Sequence, residues 1–277
     1  MKFNAHEQMH GRTLSRRSLC YTLLAPAVIP MSPQLRTHAA LASGLLRFDS
    51  SFSNAYILVR AGESLSDAAE RIDTNPVNRD DVARGALTER GAQQVLDLAR
   101  RLSELEFPLI WYSTACRSTR TAEMLGAALS LPRERLVPEY SFLDARGLGR
   151  LDGEPSAQTW ASVHARDATD AFWRPPEGDD GTPNESVADV FARVRQLLSI
   201  TETQYSQENI VIVSPDSEVL STIAAAVCGS PLEMHSRFEM APGEMRDLRL
   251  LQRDDGWRER RSLRACRAPA DARDAAS

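Results

Sequence analysis

The sequence predicts an α/β fold, a three-layer sandwich whose mostly parallel sheet is covered on both faces by helices and carries an inserted lid. Short apolar runs at 55–59, 109–113 and 209–213 read as buried strands. Strongly amphipathic stretches at 87–105 and 184–198 read as helices. Their order, strand, helix, strand, helix, is the rhythm of parallel strands joined by helical crossovers.

Each element has its own signal. Ala55 to Val59 is apolar and ends at Arg60-Ala61-Gly62, a buried strand feeding a tight turn. In the first helix Val95, Leu98, Ala99, Leu102 and Leu105 recur at three and four, with Thr88 placed to cap. Leu109 to Ser113 is the second strand. Cys116 to Leu129 is a helix with Thr121, Met124, Leu125 and Ala128 on one side, and Arg135 to Tyr140 is a third strand. Residues 144–183, rich in Gly, Pro and Asp, read as the lid, with a weak helical pattern at 160–172. Asn184 is expected to cap a helix whose stripe is Val187, Val190, Phe191, Val194, Leu197 and Leu198. Asn209 to Val213 is the next strand, Ser217 to Cys228 a mostly buried helix closed by Gly229, and Met245 to Leu251 a final strand.

The 277 residues are 42% hydrophobic, enough for one main domain with extensions, here 52–252. A net charge of -5 and scattered aromatics give neither the basic stripe nor the stacking platform of a nucleic-acid binder. Cys20, Cys116, Cys228 and Cys266 form no Cys-x-x-Cys pair, and no His stands at ligand spacing from them, so no metal site and no cofactor are expected. Residues 1–42 read as an address: Ser15-Arg16-Arg17-Ser18-Leu19, an apolar run to Ile29, and small residues ending Ala40-Leu41-Ala42 describe a cleavable twin-arginine export signal. That run is too short to span a bilayer, and no transmembrane segment is expected in the mature chain. Residues 43–51 read as a linker, and 253–277, without periodicity, as a fraying tail.

Four segments in order carry a family resemblance. Leu58-Val59-Arg60-Ala61-Gly62-Glu63 follows the pattern Leu-Val-Arg-His-Gly-Glu; Tyr112 to Ala122 follows a strand ending in serine, then arginine, then Thr-Ala on a helix. Gly149-Arg150-Leu151-Asp152-Gly153 follows Gly-x-Leu-acid-Gly, and Val213-Ser214-Pro215-Asp216 follows Val-Ser-His-Gly. Together they resemble the histidine-phosphatase (phosphoglycerate-mutase-like) superfamily over about residues 52 to 252. The wording Phe142 to Gly149, Asp180 to Ser186 and Ser214 to Ser217 is most similar to chloroplast phosphoglycerate-mutase-like proteins of plants and algae. The resemblance with the Arg-Arg signal points to the thylakoid lumen; a bacterial periplasm is the alternative.

What the resemblance implies about chemistry turns on three replaced positions. The family histidine that carries the phosphoryl group needs a nitrogen lone pair, and Ala61 offers a methyl group in its place. The second histidine is Pro215, with neither side-chain donor nor backbone N–H, and the family acid aligns near Ala145, with Asp144 one residue off. Arg60 and Arg117 match the phosphate-clamping arginines, whose forked donors suit an anion; the bland alternative pairs them with Asp216 or Asp144. The expectation is a pseudoenzyme that binds a phosphate-bearing ligand or a protein partner. Two other readings stand beside it: a phosphatase or mutase using Asp216 as substitute nucleophile, and a structural subunit of a thylakoid assembly. His164, in the lid, and His235, before the last strand, are not expected to replace the lost imidazoles. Cys116 sits at a helix start, where a thiol pKa falls, yet is expected to be an inert small side chain.

Overall fold

A computed structural model describes residues 52–252. The address, the linker up to residue 51 and the tail lie outside the described residues, so those expectations have no structural counterpart. Among the described residues no helix is long and apolar enough to cross a membrane.

Five strands form one sheet in the order β3-β2-β4-β1-β5: β1 Ala55–Arg60, β2 Leu109–Ser113, β3 Leu136–Glu139, β4 Asn209–Ser214 and β5 Met245–Asp247. The first four run parallel, and β5 is antiparallel to β1. Because side chains alternate across a strand, β1 serves two cores. Tyr56 and Leu58 enter one with Val190, Val194, Leu197, Val219 and Ile223; Ile57 and Val59 enter the other with Val95, Leu98, Leu102, Ala122 and Leu125. Each such fully buried side chain contributes about 1.5 to 3 kcal/mol.

The helices are α1 Leu65–Ala68, α2 Val82–Gly85, α3 Glu89–Leu102, α4 Cys116–Ala128, α5 Ser156–Asp167, α6 Val187–Gln204, α7 Ser217–Val227 and α8 Leu248–Gln252. Thr88 caps α3 through its Oγ1, and Gly229, at φ +65°, closes α7, both as the sequence predicts. The lid holds α5 over a small core of Ile72, Leu148 and Val163, packed against Trp160 and Trp173.

Two expectations fail locally. Asn184 does not cap α6: its side chain donates to the Pro175 carbonyl, while Ser186 forms a capping box with Asp189 two residues later. The reciprocal bonds of that box satisfy two backbone donors, which one asparagine cannot match. The strand expected over 245–251 stops at Asp247, whose carboxylate accepts the Arg249 backbone N–H at 2.9 Å and turns the chain into α8.

Candidate functional site

Parallel pairing builds the candidate site at the carboxyl ends of the strands, where ligands bind in open α/β sheets. Arg60, last residue of β1, lies in register with Ser214, last residue of β4. The chain continues from these two as Ala61 and Pro215, so the replaced positions stand side by side, and the Ala61 N–H donates to the Ser214 carbonyl at 3.0 Å. Between β2 and α4 the chain turns at Thr114 and Ala115 and places Arg117 in the first turn of α4. A cleft of about 220 Å³ opens there, its walls including Arg117, Pro215, Cys116, Ala145 and Asp144.

The arginines are occupied by the protein itself. Arg117, buried, donates Nη1 to the Asp73 carboxylate at 2.6 Å, Nη2 to the Asp73 carbonyl at 2.8 Å and Nε to the Pro215 carbonyl at 2.8 Å. Arg60 donates Nη2 to Asp67 at 3.0 Å and Nη1 to the Met240 carbonyl at 2.8 Å. Burial alone would raise the Asp67 carboxyl, but the Arg60 and Arg117 guanidiniums hold it below its ordinary value, helped by hydrogen bonds from Ser64. An ionised carboxylate of the chain therefore sits within the field of both arginines. The ion-pair partners are Asp67 and Asp73, not Asp216 or Asp144, the partners named in the alternative to anion binding. Neither acid lies in a strand-end motif: Asp67 comes from α1 and Asp73 from the chain after it, and the sequence signal was only that four acids, Glu63, Asp67, Glu70 and Asp73, follow Arg60.

Asp144 is held by the Ser113 hydroxyl and by Arg79, each at 2.9 Å, and burial raises its carboxyl despite Arg79. Asp216 caps α7, accepting the Glu218 N–H at 3.0 Å through Oδ1, while Oδ2 has no hydrogen-bond partner. Burial first, then the neighbouring Glu218, push its carboxyl up from 3.8 to about 6 against the pull of Arg117 and Arg60. The cleft walls thus carry three arginines and three acids in matched pairs, Arg117 with Asp73, Arg79 with Asp144 at 2.9 Å, and Arg193 with Glu185 at 2.9 Å. Such a surface has no uncompensated positive charge to attract an anion. Cys116 is raised, not lowered: its burial outweighs Arg117 and the helix start, so it matches the inert reading.

His164 and His235 do not line the cleft. Instead they meet on Glu218 in a buried network with Arg146 and Asp167, residues from four separate stretches of chain that the sequence reading did not connect. Burial would raise Glu218, yet His235 and His164 hold it well below its ordinary value.

A mostly parallel sheet flanked by helices, with Arg60 ending β1, Arg117 in the first turn of α4 and a cleft at the carboxyl ends of the strands, defines an α/β sandwich of the open-sheet class. The chain belongs to the histidine phosphatase superfamily, branch 1, whose family model matches residues 56–262. A protein of Erwinia tasmaniensis named probable phosphoglycerate mutase GpmB is 29% identical over 188 residues, 66% of this chain and 79% of that one. Among solved structures, mycobacterial glucosyl-3-phosphoglycerate phosphatase Rv2419c aligns with a TM-score of 0.55 at 21% identity, over 69% of this chain and 87% of that one. Bacillus stearothermophilus YhfR aligns at 0.51 and 24% identity, over 69% and 89%. These likenesses share the fold.

Proposed function

We propose that the protein is a catalytically inactive or severely impaired member of the family, a phosphoglycerate-mutase-like pseudoenzyme whose task is binding. One observation carries this reading: the paired ends of β1 and β4 lead into Ala61 and Pro215, where phosphoryl transfer through this fold needs imidazole nitrogen. Loss of a cooperating catalytic unit costs up to about a million-fold in rate.

The binding partner in this reading is a phosphate-bearing molecule or another protein. The mycobacterial phosphatase Rv2419c has been solved with inorganic phosphate. Here a phosphate must displace Asp67 and Asp73 from their arginines before it gains charge-assisted bonds of about 1.5 to 3 kcal/mol each. After the cost of association, affinity for bare phosphate is about millimolar or weaker. Asp216 is a poor substitute nucleophile, because it is buried, is raised to about 6 and does not line the cleft. The workplace we propose is the thylakoid lumen, on the strength of the Arg16-Arg17 signal and the plastid-type wording of the motifs.

Purified protein is expected to show no turnover of 3-phosphoglycerate or p-nitrophenyl phosphate. Reproducible turnover that Arg60→Ala abolishes would overturn the reading. Labelled phosphate trapped on Asp216 would support the nucleophile alternative instead.

A further inference from the structure

Outside the cleft, three side chains from three elements converge on one point. His164 comes from α5 in the lid, Glu218 from the first turn of α7, and His235 from the turn at 232–238. Their nearest nitrogen and oxygen atoms all lie within 4.8 Å of one another. Glu218 Oε1 is 2.9 Å from His164 Nε2, and Oε2 is 3.1 Å from His235 Nε2.

The hydrogen-bond arithmetic leaves this cluster short of a positive charge. His235 Nδ1 lies 3.0 Å from the Leu232 carbonyl oxygen, which can only accept, so Nδ1 carries the proton. In a neutral ring Nε2 is then a bare lone pair, and it faces a carboxylate oxygen at a fully buried position. Two acceptors in that geometry repel unless a cation or a second proton stands between them. Arg146 does not supply it alone, being committed to Asp167 through two bonds, of 2.6 and 2.9 Å, and reaching Glu218 with a single contact at 3.1 Å, so the charge falls to a proton on an imidazole or to a bound cation. One guanidinium against two carboxylates leaves the buried group with one negative charge in excess while both imidazoles are neutral.

We propose that His164, Glu218 and His235 form a binding site for a divalent transition-metal ion of the zinc type, ligated by two Nε2 atoms and a carboxylate oxygen, with a fourth position for water. Two imidazoles and one carboxylate are a donor set that such ions accept. The surroundings match: the Leu232 carbonyl fixes the tautomer of His235, Arg146 braces Glu218 from behind, and Trp160 stacks on the His164 ring at 5.6 Å. Metal–ligand bonds of about 2.0 to 2.2 Å in a tetrahedral site set ligand atoms about 3.3 to 3.6 Å apart, so the two Glu218 contacts lengthen by a few tenths of an ångström and the widest pair, within 4.8 Å, closes onto the ion. His164, 16% exposed against 0 to 3% for the other two, gives the side of entry. Bound metal pins the lid helix α5 to α7 and to the 232–238 turn. This is a structural role, independent of the chemistry of the cleft.

The test uses untagged full-length protein, stripped with chelator and dialysed against Zn²⁺ or Co²⁺, with metal content read by mass spectrometry. One tightly retained equivalent is expected, with visible absorption bands of four-coordinate Co²⁺. At Zn²⁺ a hundredfold above Kd the melting temperature is expected to rise by about 5 to 10 °C. His164→Gln, at the most exposed ligand, is expected to keep the circular dichroism spectrum and lose the equivalent; His235→Asn is the second variant. If either fails to fold, uptake by the wild type still decides. No retained metal in the wild type, or a full equivalent in both folded variants, overturns the proposal. Metal-free stability that rises as pH falls would then identify a proton as the cation.

Discussion

Asp216→Asn is expected to stabilise the protein above about pH 6 and to destabilise it by about 1 to 2 kcal/mol in acid, where the wild-type carboxyl is protonated. In the folded chain the Asp216 carboxyl is raised to about 6 from 3.8, chiefly by burial. A group whose folded value lies above its unfolded one contributes stability that is complete below 3.8 and is lost as pH climbs through about 6. The gap corresponds to about 3 kcal/mol that the folded state gives up at pH 8 in order to ionise a buried acid. An asparagine oxygen keeps the bond from the Glu218 N–H, because Asn caps helices as well as Asp. Its amide nitrogen takes the place of Oδ2, which has no hydrogen-bond partner in the wild type, and leaving that nitrogen unpaired costs about 1 to 2 kcal/mol. The net gain at pH 8 is therefore about 1 to 2 kcal/mol. Urea denaturation of both proteins at pH 4 and pH 8 measures it. A variant less stable than wild type at pH 8, or a gain equal at both pH values, refutes the reasoning, since either shows that the ionised carboxylate is welcome between Arg60 and Arg117.

Three further outcomes follow from the same geometry. Arg117→Ala leaves the half-buried Asp73 carboxylate with only the Ser66 hydroxyl at 3.3 Å and Arg84 at 3.6 Å and is expected to cost about 3 kcal/mol by chemical denaturation; Arg117→Ala with Asp73→Ala is expected to cost less. Gly91→Ala would place its methyl 2.1 Å from the Glu63 carbonyl oxygen, so α3 must back away from the turn after β1, at about 1 to 3 kcal/mol or more by thermal melting. Ala61→His with Pro215→His restores imidazoles but leaves Asp67 and Asp73 on the arginines. Hydrolysis of p-nitrophenyl phosphate is expected to stay at background in that double variant and to rise only when Asp67→Asn and Asp73→Asn are added; efficient turnover by the double variant alone would show that the carboxylates do not obstruct the site.

The family, the class of fold and the register of the replaced positions were legible in the chain, because they depend on local pattern. Apolar runs four to six residues long can only be buried strands in this setting, and the helical stripe at Val95, Leu98 and Leu102 fixes which face meets the sheet. Where two local signals competed, the sequence was ambiguous: Asn184 and Ser186 both resemble caps, and only Ser186 has an acid three residues on. A short edge strand and a first helical turn likewise look alike until the Asp247 carboxylate claims the Arg249 N–H.

By itself, then, the sequence determined the strand order's raw material and the absence of imidazole at 61 and 215, since covalent identity does not depend on folding. Only the tertiary structure decided what the arginines hold, because Asp67 on the short helix α1 and Asp73 beyond it reach them along a path that no periodicity records. It also brought His164, Glu218 and His235 together across 71 residues of chain, a meeting set by how the lid packs on α7. Charge pairing acts through space over a few ångströms, and pattern along a chain does not carry that distance.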